Sequence, residues 1–420
     1  MIREELRASR PTVMIVATLD TKAYETDFVR KKIESLECGT ILVNPGILSP
    51  PQSGIRADID RDEVAKAGGK DIDRLLATRD KGLCIRTMMD GVAKITRELF
   101  EKGLFHGIIS IGGAQNTDIG TSAMRALPFG IPKLMVSTVA SGQAAFGPFV
   151  GTKDIIIMHS VADIQGLNFI TRRVLGSAAA AVCGMVKEVF YGEGEKGAEE
   201  KTPVAMSMLG TTTPGALRAK ELLERRGYEV VAFHQNGTGG IAMEDMIVEG
   251  RFKGVLDLNL HEIADWYVGG LHGAIKDYRL EMAGKCGLPQ VVAPGSINYT
   301  VQGPYDKLPE DLKRRKLIVH NPNLTLVRLS VNELAEVGKI TAEKLNRAKG
   351  KVCLFIPLRG FSYPDREGHP HWEPEGNMAF IRAVEENLDK SVELEKIDAH
   401  INDPEFIDVA VGKFLQYMEN

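Results

Sequence analysis

Short apolar runs alternate with helix-like segments along nearly the whole chain, and this alternation limits the folds open to it. Apolar runs lie at 12–18, 40–46, 107–113, 133–138 and 154–160, and helix-like segments such as 24–36 and 94–103 lie between them. Each run is apolar on both faces, which is typical of a strand in a parallel sheet that helices cover on both sides. The pattern therefore predicts an α/β fold with doubly wound parallel sheets.

The alternation stops at a polar segment and then restarts. Residues 191–202 read YGEGEKGAEEKT, which is typical of a linker. Further strands are predicted at 254–260, 289–295, 316–321 and 351–357, and helices at 241–249, 331–348, 375–388 and from about 404. The opening VAMSMLGTTTPGA has the same strand–loop–helix plan as VMIVATLDTKAYE. We expect two Rossmann-like subdomains, 1–192 and 203–420, with a cleft between them.

Composition restricts the class of protein. A chain of 420 residues is long enough for two domains, and a net charge of −4 gives no basic excess for nucleic acid. The five cysteines form no CxxC pair, so we expect reduced thiols in the cytoplasm. The N-terminus does not read as a signal peptide, and the apolar run 174–186 is too short to span a bilayer, so no membrane partner is expected. The small residues of that run suit core packing or, alternatively, a subunit interface.

Three polar loops follow predicted strands of the first half: ATLDTK (17–22), GGAQNTD (112–118) and STVASG (137–142). Backbone N–H groups near helix starts favour anions, so these loops suit a polyphosphate. Lys22 can supply a cation, and Asp20 or Asp118 can hold Mg²⁺. The hydroxyl groups available are those of Thr18, Thr21, Thr117, Ser137, Thr138 and Ser141. The same residues also commonly end strands and begin helices in α/β folds. The pattern therefore fits both a phosphate site and a purely structural role.

Several segments together resemble one known family. ATLDTKAYE, GGAQNTDIGTSAMRALPFGIPKLMVSTVASG, GTTTPG, FHQNGTGGIAMEDMI and HINDPEF resemble the ATP-binding domain family named for the tomato mosaic virus resistance protein, whose members are mostly uncharacterised. The resemblance implies two α/β subdomains, ATP and Mg²⁺ in the first, and a homodimer or higher homo-oligomer. It also implies that ATP contacts Thr18 to Lys22, Gly112 to Thr117 and Ser137 to Gly142. It implies no particular reaction.

The second of these loops departs from the family. The family usually has GGSGGT where this chain has GGAQNT, so Gln115 adds a side chain where glycine leaves room. Asn116 can still take a left-handed conformation, which Asn adopts more readily than most residues. The change bears on the pose of the phosphates and on which nucleotide is bound. A GxGxxG motif is absent, which argues against a dinucleotide-dependent dehydrogenase.

The second half carries its own polar groups. His234 lies in FHQNGTGG, and His261 and Glu262 follow the strand that contains Asp257. We expect His234 or His261 to act as a general acid or base, with Glu262 or Asp257 orienting it or binding a metal. His261 and Asp265 would share one face of a helix.

Each of these residues also has a structural reading, such as a satisfied core histidine. His369 and His371 read as loop residues, Asp403 as an N-cap before Pro404, and no HExxH pattern predicts zinc.

Three functions follow from these patterns. The leading hypothesis is an ATP-binding enzyme that acts on a small organic substrate in the interdomain cleft. The alternative is a non-catalytic, ATP-dependent regulatory or protein-binding module, which the lack of a recognisable catalytic signature favours. The third, a dehydrogenase, lacks its dinucleotide motif.

Overall fold

A computed structural model describes residues 8–49, 54–141, 147–192 and 201–419. The chain divides into two compact units, Met1–Ala198 and Glu199–Asn420, which we describe separately. Gly142 of the predicted nucleotide site and residues 193–200 of the predicted linker lie outside the described residues.

The first unit contains one parallel sheet of five strands. The order is β2-β1-β3-β4-β5. The strands are β1 Thr12–Val16, β2 Gly39–Val43, β3 Gly107–Gly112, β4 Lys133–Ser137 and β5 Ile156–His159. The doubly wound α/β fold predicted from the apolar runs is confirmed in this unit.

Helices cover both faces of this sheet. Alternate residues of each strand point to opposite faces, so an apolar strand makes both faces apolar and each face needs a covering layer. Met14 and Val16 face one apolar cluster, whereas Val13 and Ile15 face the other. The helices are α1 Ala23–Ser35, α2 Arg61–Ala67, α3 Ile72–Ala77, α4 Lys81–Glu101, α5 Ala114–Arg125, α6 Gly147–Val150 and α7 Phe169–Tyr191.

Helix α7 is longer than the apolar run 174–186 suggested. Among the described residues, it is the helix that is long and apolar enough to cross a membrane. Its side chains Leu175, Val182 and Val186 are nevertheless buried against the sheet, in the cluster that α1 also joins. One face of the helix thus packs on the sheet, whereas a third of its apolar 18-residue window is buried in all.

The second unit has a six-stranded parallel sheet in the order β14-β13-β9-β8-β6-β7 and a small antiparallel sheet in the order β10-β12-β11. The strands are β6 Thr202–Met208, β7 Tyr228–His234, β8 Gly254–Asn259, β9 Gln290–Gly295, β10 Tyr299–Gln302, β11 Leu317–Asn321, β12 Leu324–Arg328, β13 Val352–Pro357 and β14 Glu393–Ile397. The predicted strand 316–321 is β11, so it does not extend the parallel series. A tight turn, in which the Asn321 side chain accepts from the Asn323 N–H, returns the chain at once into β12.

Helices again cover both faces of the large sheet. They are α8 Thr213–Glu224, α9 Gly239–Val248, α10 His261–Val268, α11 Met282–Lys285, α12 Glu310–Lys313, α13 Val331–Leu345, α14 Pro374–Asn387 and α15 Pro404–Glu419. Asp403 precedes Pro404, the first residue of α15, as predicted. The Asp403 carboxylate accepts from the His400 N–H and fixes the turn before the helix.

Each large sheet has a point at which the strand order reverses. It lies between β1 and β3 in the first unit and between β6 and β8 in the second. Ligands of open α/β sheets bind in the crevice outside the carboxyl ends of the strands at such a point. The loops after β1, β3, β6 and β8 therefore border the candidate ligand sites.

Candidate functional site

In the first unit, two helices begin beside the strand-order reversal. Helix α1 starts after Lys22, and α5 starts after Gly113. No side chain in the described part of the chain caps either helix. Their first N–H groups therefore point towards the crevice without a capping acceptor, which is the arrangement that favours an anion.

Several hydroxyl groups predicted to meet phosphate instead join the loops to one another. Thr117 Oγ1 lies 2.7 Å from Ser137 Oγ, and both residues are buried. Thr18 Oγ1 lies 3.3 Å from Thr21 Oγ1. Thr138 is half-buried and Ser141 is exposed, so these two remain accessible. The backbone of the loops is thus better placed for an anion than most of their hydroxyl groups.

Asn116 does not take the left-handed conformation that was open to it. Helix α5 begins at Ala114, so Gln115 and Asn116 are helical. The Asn116 amide turns inward and donates to Ser110 Oγ at 3.1 Å and to the Ile111 carbonyl at 2.6 Å. A Cβ at Gly112 would lie 2.6 Å from Asn116 Cβ, so glycine is needed where this side chain packs.

The two predicted magnesium ligands have different surroundings. Asp20 is buried, and its Oδ2 accepts from the Leu48 N–H at 2.8 Å, which ties it to the loop after β2. Asp118 lies in the first turns of α5, where burial raises its carboxyl pKa and Arg125 partly offsets that rise. One carboxylate oxygen of Asp20 therefore stabilises the fold through a hydrogen bond to the backbone.

In the second unit, Arg279 is fully buried among three carboxylates. Its guanidinium contacts Asp257 at 2.6 and 3.0 Å, and Glu262 and Glu244 at 3.2 Å each. Burial raises the pKa of Glu244 to about 7, although the charge of Arg279 opposes the rise. Sequence reasoning missed Arg279, because no local motif marks it.

Glu262, a predicted catalytic residue, belongs to this ion cluster. Its Oε1 accepts from the N–H groups of Gly237 at 2.7 Å and Gly240 at 3.1 Å. It therefore holds the loop after β7 and the start of α9 in place. It does not line the cavity described next.

A cavity of about 760 Å³ lies at the carboxyl ends of β6 and β7 and beside the small antiparallel sheet. Apolar side chains form much of its wall, namely those of Leu209, Val301, Ile318, Leu324 and Leu326. Histidine and tyrosine supply its polar wall, through His234, His272, His320, His369, Tyr299 and Tyr363. Such a volume with a few polar groups is typical of a small-molecule site.

His234, a predicted acid–base residue, lies on this wall, but His261 lies behind it. His261 is fully buried, and its Nδ1 is 3.2 Å from the Ser296 carbonyl oxygen. In the neutral ring Nδ1 therefore carries the proton, which leaves the lone pair on Nε2. Nε2 lies 3.2 Å from His272 Nδ1 and 3.6 Å from Asp265 Oδ2, so the predicted shared face of His261 and Asp265 is confirmed.

His272 was missed by the sequence analysis, although it connects His261 to the cavity. It follows Gly269, which ends α10 with a φ of 76°, and Gly270, where a Cβ would lie 2.4 Å from the Asp265 carboxylate. The segment HEIADWYVGGLH thus folds back on its own helix. The two glycines after the helix are the sequence feature from which this reversal of the chain could have been predicted.

His369 and His371 lie in the segment between β13 and α14, as predicted for loop residues. His369 lines the cavity, whereas His371 is buried with its ring 5.8 Å from that of Tyr299. Burial, aided by the positive charge of Arg328, lowers the pKa of His371 to about 4.

Fold and site together define a two-unit, Rossmann-like α/β protein with polar sites at the carboxyl ends of its parallel strands. Residues 11–190 and 201–418 match the N-terminal and C-terminal domains of the uncharacterised protein family UPF0261, and the chain belongs to this family.

Relatives of known sequence agree with this membership. The chain is 42% identical over 408 residues to a UPF0261 protein of Clostridium tetani, covering 97% of this chain and 99% of that one. It is 35% identical over 339 residues to the ToMV resistance protein Tm-1(GCR237) of Solanum lycopersicum, covering 80% of this chain and 45% of that one. The resemblance to the family of the tomato protein is thereby confirmed.

Comparison with solved structures gives distant matches. A UDP-N-acetylglucosamine 2-epimerase from Rickettsia bellii has 12% identity and a TM-score of 0.24, covering 67% of this chain and 78% of that one. MurG from Acinetobacter baumannii has 11% identity and a TM-score of 0.22, covering 97% and 100%. Neither similarity carries information about the ligand of this chain.

Proposed function

We propose that this protein is an ATP-binding cytoplasmic enzyme whose small organic substrate occupies the cavity of the second unit. The observation that carries the proposal is the position of His234 on the wall of that cavity, at the carboxyl end of β7. Imidazole exchanges protons near neutral pH, so His234 can act as general acid or base on a bound molecule.

The lining of the cavity indicates the class of substrate. Among the described residues, no Asp or Glu side chain lines it, whereas four histidines do. A cation suits it poorly, because no carboxylate among the described lining residues would balance a positive charge. A small organic acid or carbonyl compound fits both the volume and the polarity.

The first unit supports the nucleotide part of the proposal. Helices α1 and α5 begin after the adjacent strands β1 and β3, no described side chain caps either start, and Lys22 precedes α1. The phosphates of ATP would accept from these N–H groups, with Mg²⁺ held near Asp20 or Asp118 directly or through water. The five free cysteines suit a reducing cytoplasm, and a homodimer or higher homo-oligomer is part of the proposal.

Calorimetric titration of ATP with Mg²⁺ tests the nucleotide site. We expect one site per chain, with ADP binding more weakly and NAD not binding. Lys22→Ala should weaken ATP about tenfold, because it removes a cation from the start of α1. Lys31→Ala on the same helix is the matched control, since Lys31 pairs with Asp27 on the exposed side. Equal affinities of both variants and the unmodified protein would contradict this site.

A turnover screen of small oxo and hydroxy acids, with and without ATP, tests the second unit. His234→Gln should lower the rate by about 100-fold or more, because general acid–base catalysis contributes on that scale. His320→Gln, on the same wall, should change the KM for the substrate more than kcat, because His320 is not assigned a proton transfer. Tight ATP binding with no turnover of any compound would favour the non-catalytic regulatory module instead.

A further inference from the structure

We infer that the second unit binds a divalent transition-metal ion, of the class of Zn²⁺, through His261 Nε2, Asp265 Oδ2 and His272 Nδ1. The three atoms lie within 4.8 Å of one another. The inference concerns metal binding and does not depend on ATP. The chemical role given to the metal below rests on the proposed function.

The spacing of the three atoms fits a tetrahedral ion. His261 Nε2 lies 3.2 Å from His272 Nδ1 and 3.6 Å from Asp265 Oδ2. Ligands about 2.1 Å from a tetrahedral metal are about 3.4 Å apart, so the two separations from His261 lie on either side of the required distance, and the third is within 4.8 Å. An ion can therefore enter between them with small movements of the side chains.

The surrounding groups orient the ligands as they do at known metal sites. The Ser296 carbonyl accepts from Nδ1 of His261 and so directs the lone pair of Nε2 towards the other two residues. The Asp265 carboxylate is held by the N–H groups of His272 and Val301, each at 2.8 Å. Helix α10 supplies two of the ligands one turn apart, and the glycine turn brings the third back to them.

The charge balance favours a cation at this position. The Asp265 side chain is fully buried, and in the described part of the chain its ion-pair partner is His261, with no Lys or Arg paired to it. The nearby carboxylates of Asp257, Glu262 and Glu244 are by contrast each paired with Arg279. A buried carboxylate without a fixed cation is costly, and a metal ion would remove that cost.

The position of His272 determines what the metal could do. His272 lies on the wall of the 760 Å³ cavity, so a metal that it binds would lie next to the space assigned to the substrate. Three protein ligands and one open position are typical of a catalytic metal site. The ion would polarise a carbonyl or carboxylate oxygen of the substrate, while His234 remains available for proton transfer.

The same geometry without a metal would be a pair of neutral histidines, in which His272 Nδ1–H donates to His261 Nε2. That pair would act as a proton relay and would not require a metal. Measurement of metal binding on the full chain separates the two arrangements.

The experiment removes metal from the purified full chain with a chelator and titrates it with Zn²⁺ and with Co²⁺. We expect one equivalent of either ion per chain, with visible Co²⁺ absorption of the intensity that tetrahedral coordination gives. His272→Ala should lower the affinity by on the order of 100-fold, since it removes a direct ligand. His320→Ala, on the same cavity wall, is the matched control and should bind normally.

Asp265→Asn provides a second test, with circular dichroism confirming that each variant is folded. It should also weaken the metal, because the amide carries no negative charge. Failure of the unmodified chain to bind either ion stoichiometrically would overturn the inference, as would unchanged affinity in folded His272→Ala. Those results leave the proposed function standing, because it is judged by ATP affinity and by turnover in His234→Gln.

Discussion

Arg279 shows how much one side chain can contribute to the fold of the second unit. It is fully buried and contacts the carboxylates of Asp257, Glu262 and Glu244. Arg279→Met would leave these charges buried without a partner, so we expect a loss of about 3–5 kcal/mol in the free energy of unfolding. Urea denaturation measures it. Arg218→Ala, which breaks the exposed pair with Asp408, is the control and should change little.

The buried ring of His371 should make the free energy of unfolding depend on pH. Its pKa is about 4 in the folded protein and about 6.5 in the unfolded chain, because burial disfavours the charged ring. Above pH 6.5 the ring is neutral in both states and contributes nothing. Between pH 6.5 and 4 the unfolded chain takes up the proton first, so the folded state loses roughly 3 kcal/mol on acidification. His371→Gln should remove this loss, and denaturation at pH 7 and pH 4.5 compares the two. Parallel pH dependence in both proteins would contradict the assignment.

The residues of the site differ in how visible they are in the sequence. His261 and Asp265 could be paired because a helix fixes their spacing at one turn. His272 and Arg279 could not be placed, because their positions depend on how the chain returns after α10 and on tertiary contacts. Glu262 was assigned a catalytic role because a carboxylate can transfer protons or orient a histidine. In the structure its carboxylate accepts hydrogen bonds from two backbone N–H groups and from Arg279.

At the scale of elements, the start of α9 is fixed by close packing against the ion cluster. A Cβ at Gly240 would lie 1.8 Å from Glu262 Oε2 and 2.5 Å from Arg279 Nε. Gly240→Ala should therefore destabilise the protein by about 1–3 kcal/mol or more, through overpacking. Gly412→Ala in α15, where a Cβ meets nothing within 4 Å, should instead stabilise by about 0.5–1 kcal/mol. Thermal unfolding of the two variants tests the contrast, and a similar shift in both would refute it.

The parallel strands and the longer helices could be predicted because apolar runs and helical periodicity are local properties. The small antiparallel sheet could be predicted only in part, since its strands are short and β11 looks like another member of the parallel series. This sheet nevertheless supplies Val301, Ile318, His320, Leu324 and Leu326 to the cavity. The wall of the site therefore depends on an insertion whose pairing is not encoded in a local pattern.

At the scale of the whole chain, the two units repeat one plan, in which the strand order reverses beside polar loops. Each strand-order reversal is a candidate position for the nucleotide, and hydrogen exchange of the intact chain distinguishes the two positions. With Mg²⁺-ATP at about 100 times its dissociation constant, the unit that binds it gains about 2.7 kcal/mol. We expect slower exchange at 17–22 and 112–118, where α1 and α5 begin, and unchanged exchange at 209–213 and 234–238. Protection confined to the second pair of segments would transfer the nucleotide to the histidine-lined cavity, because those loops border it. That outcome would make ATP itself the molecule on which His234 acts.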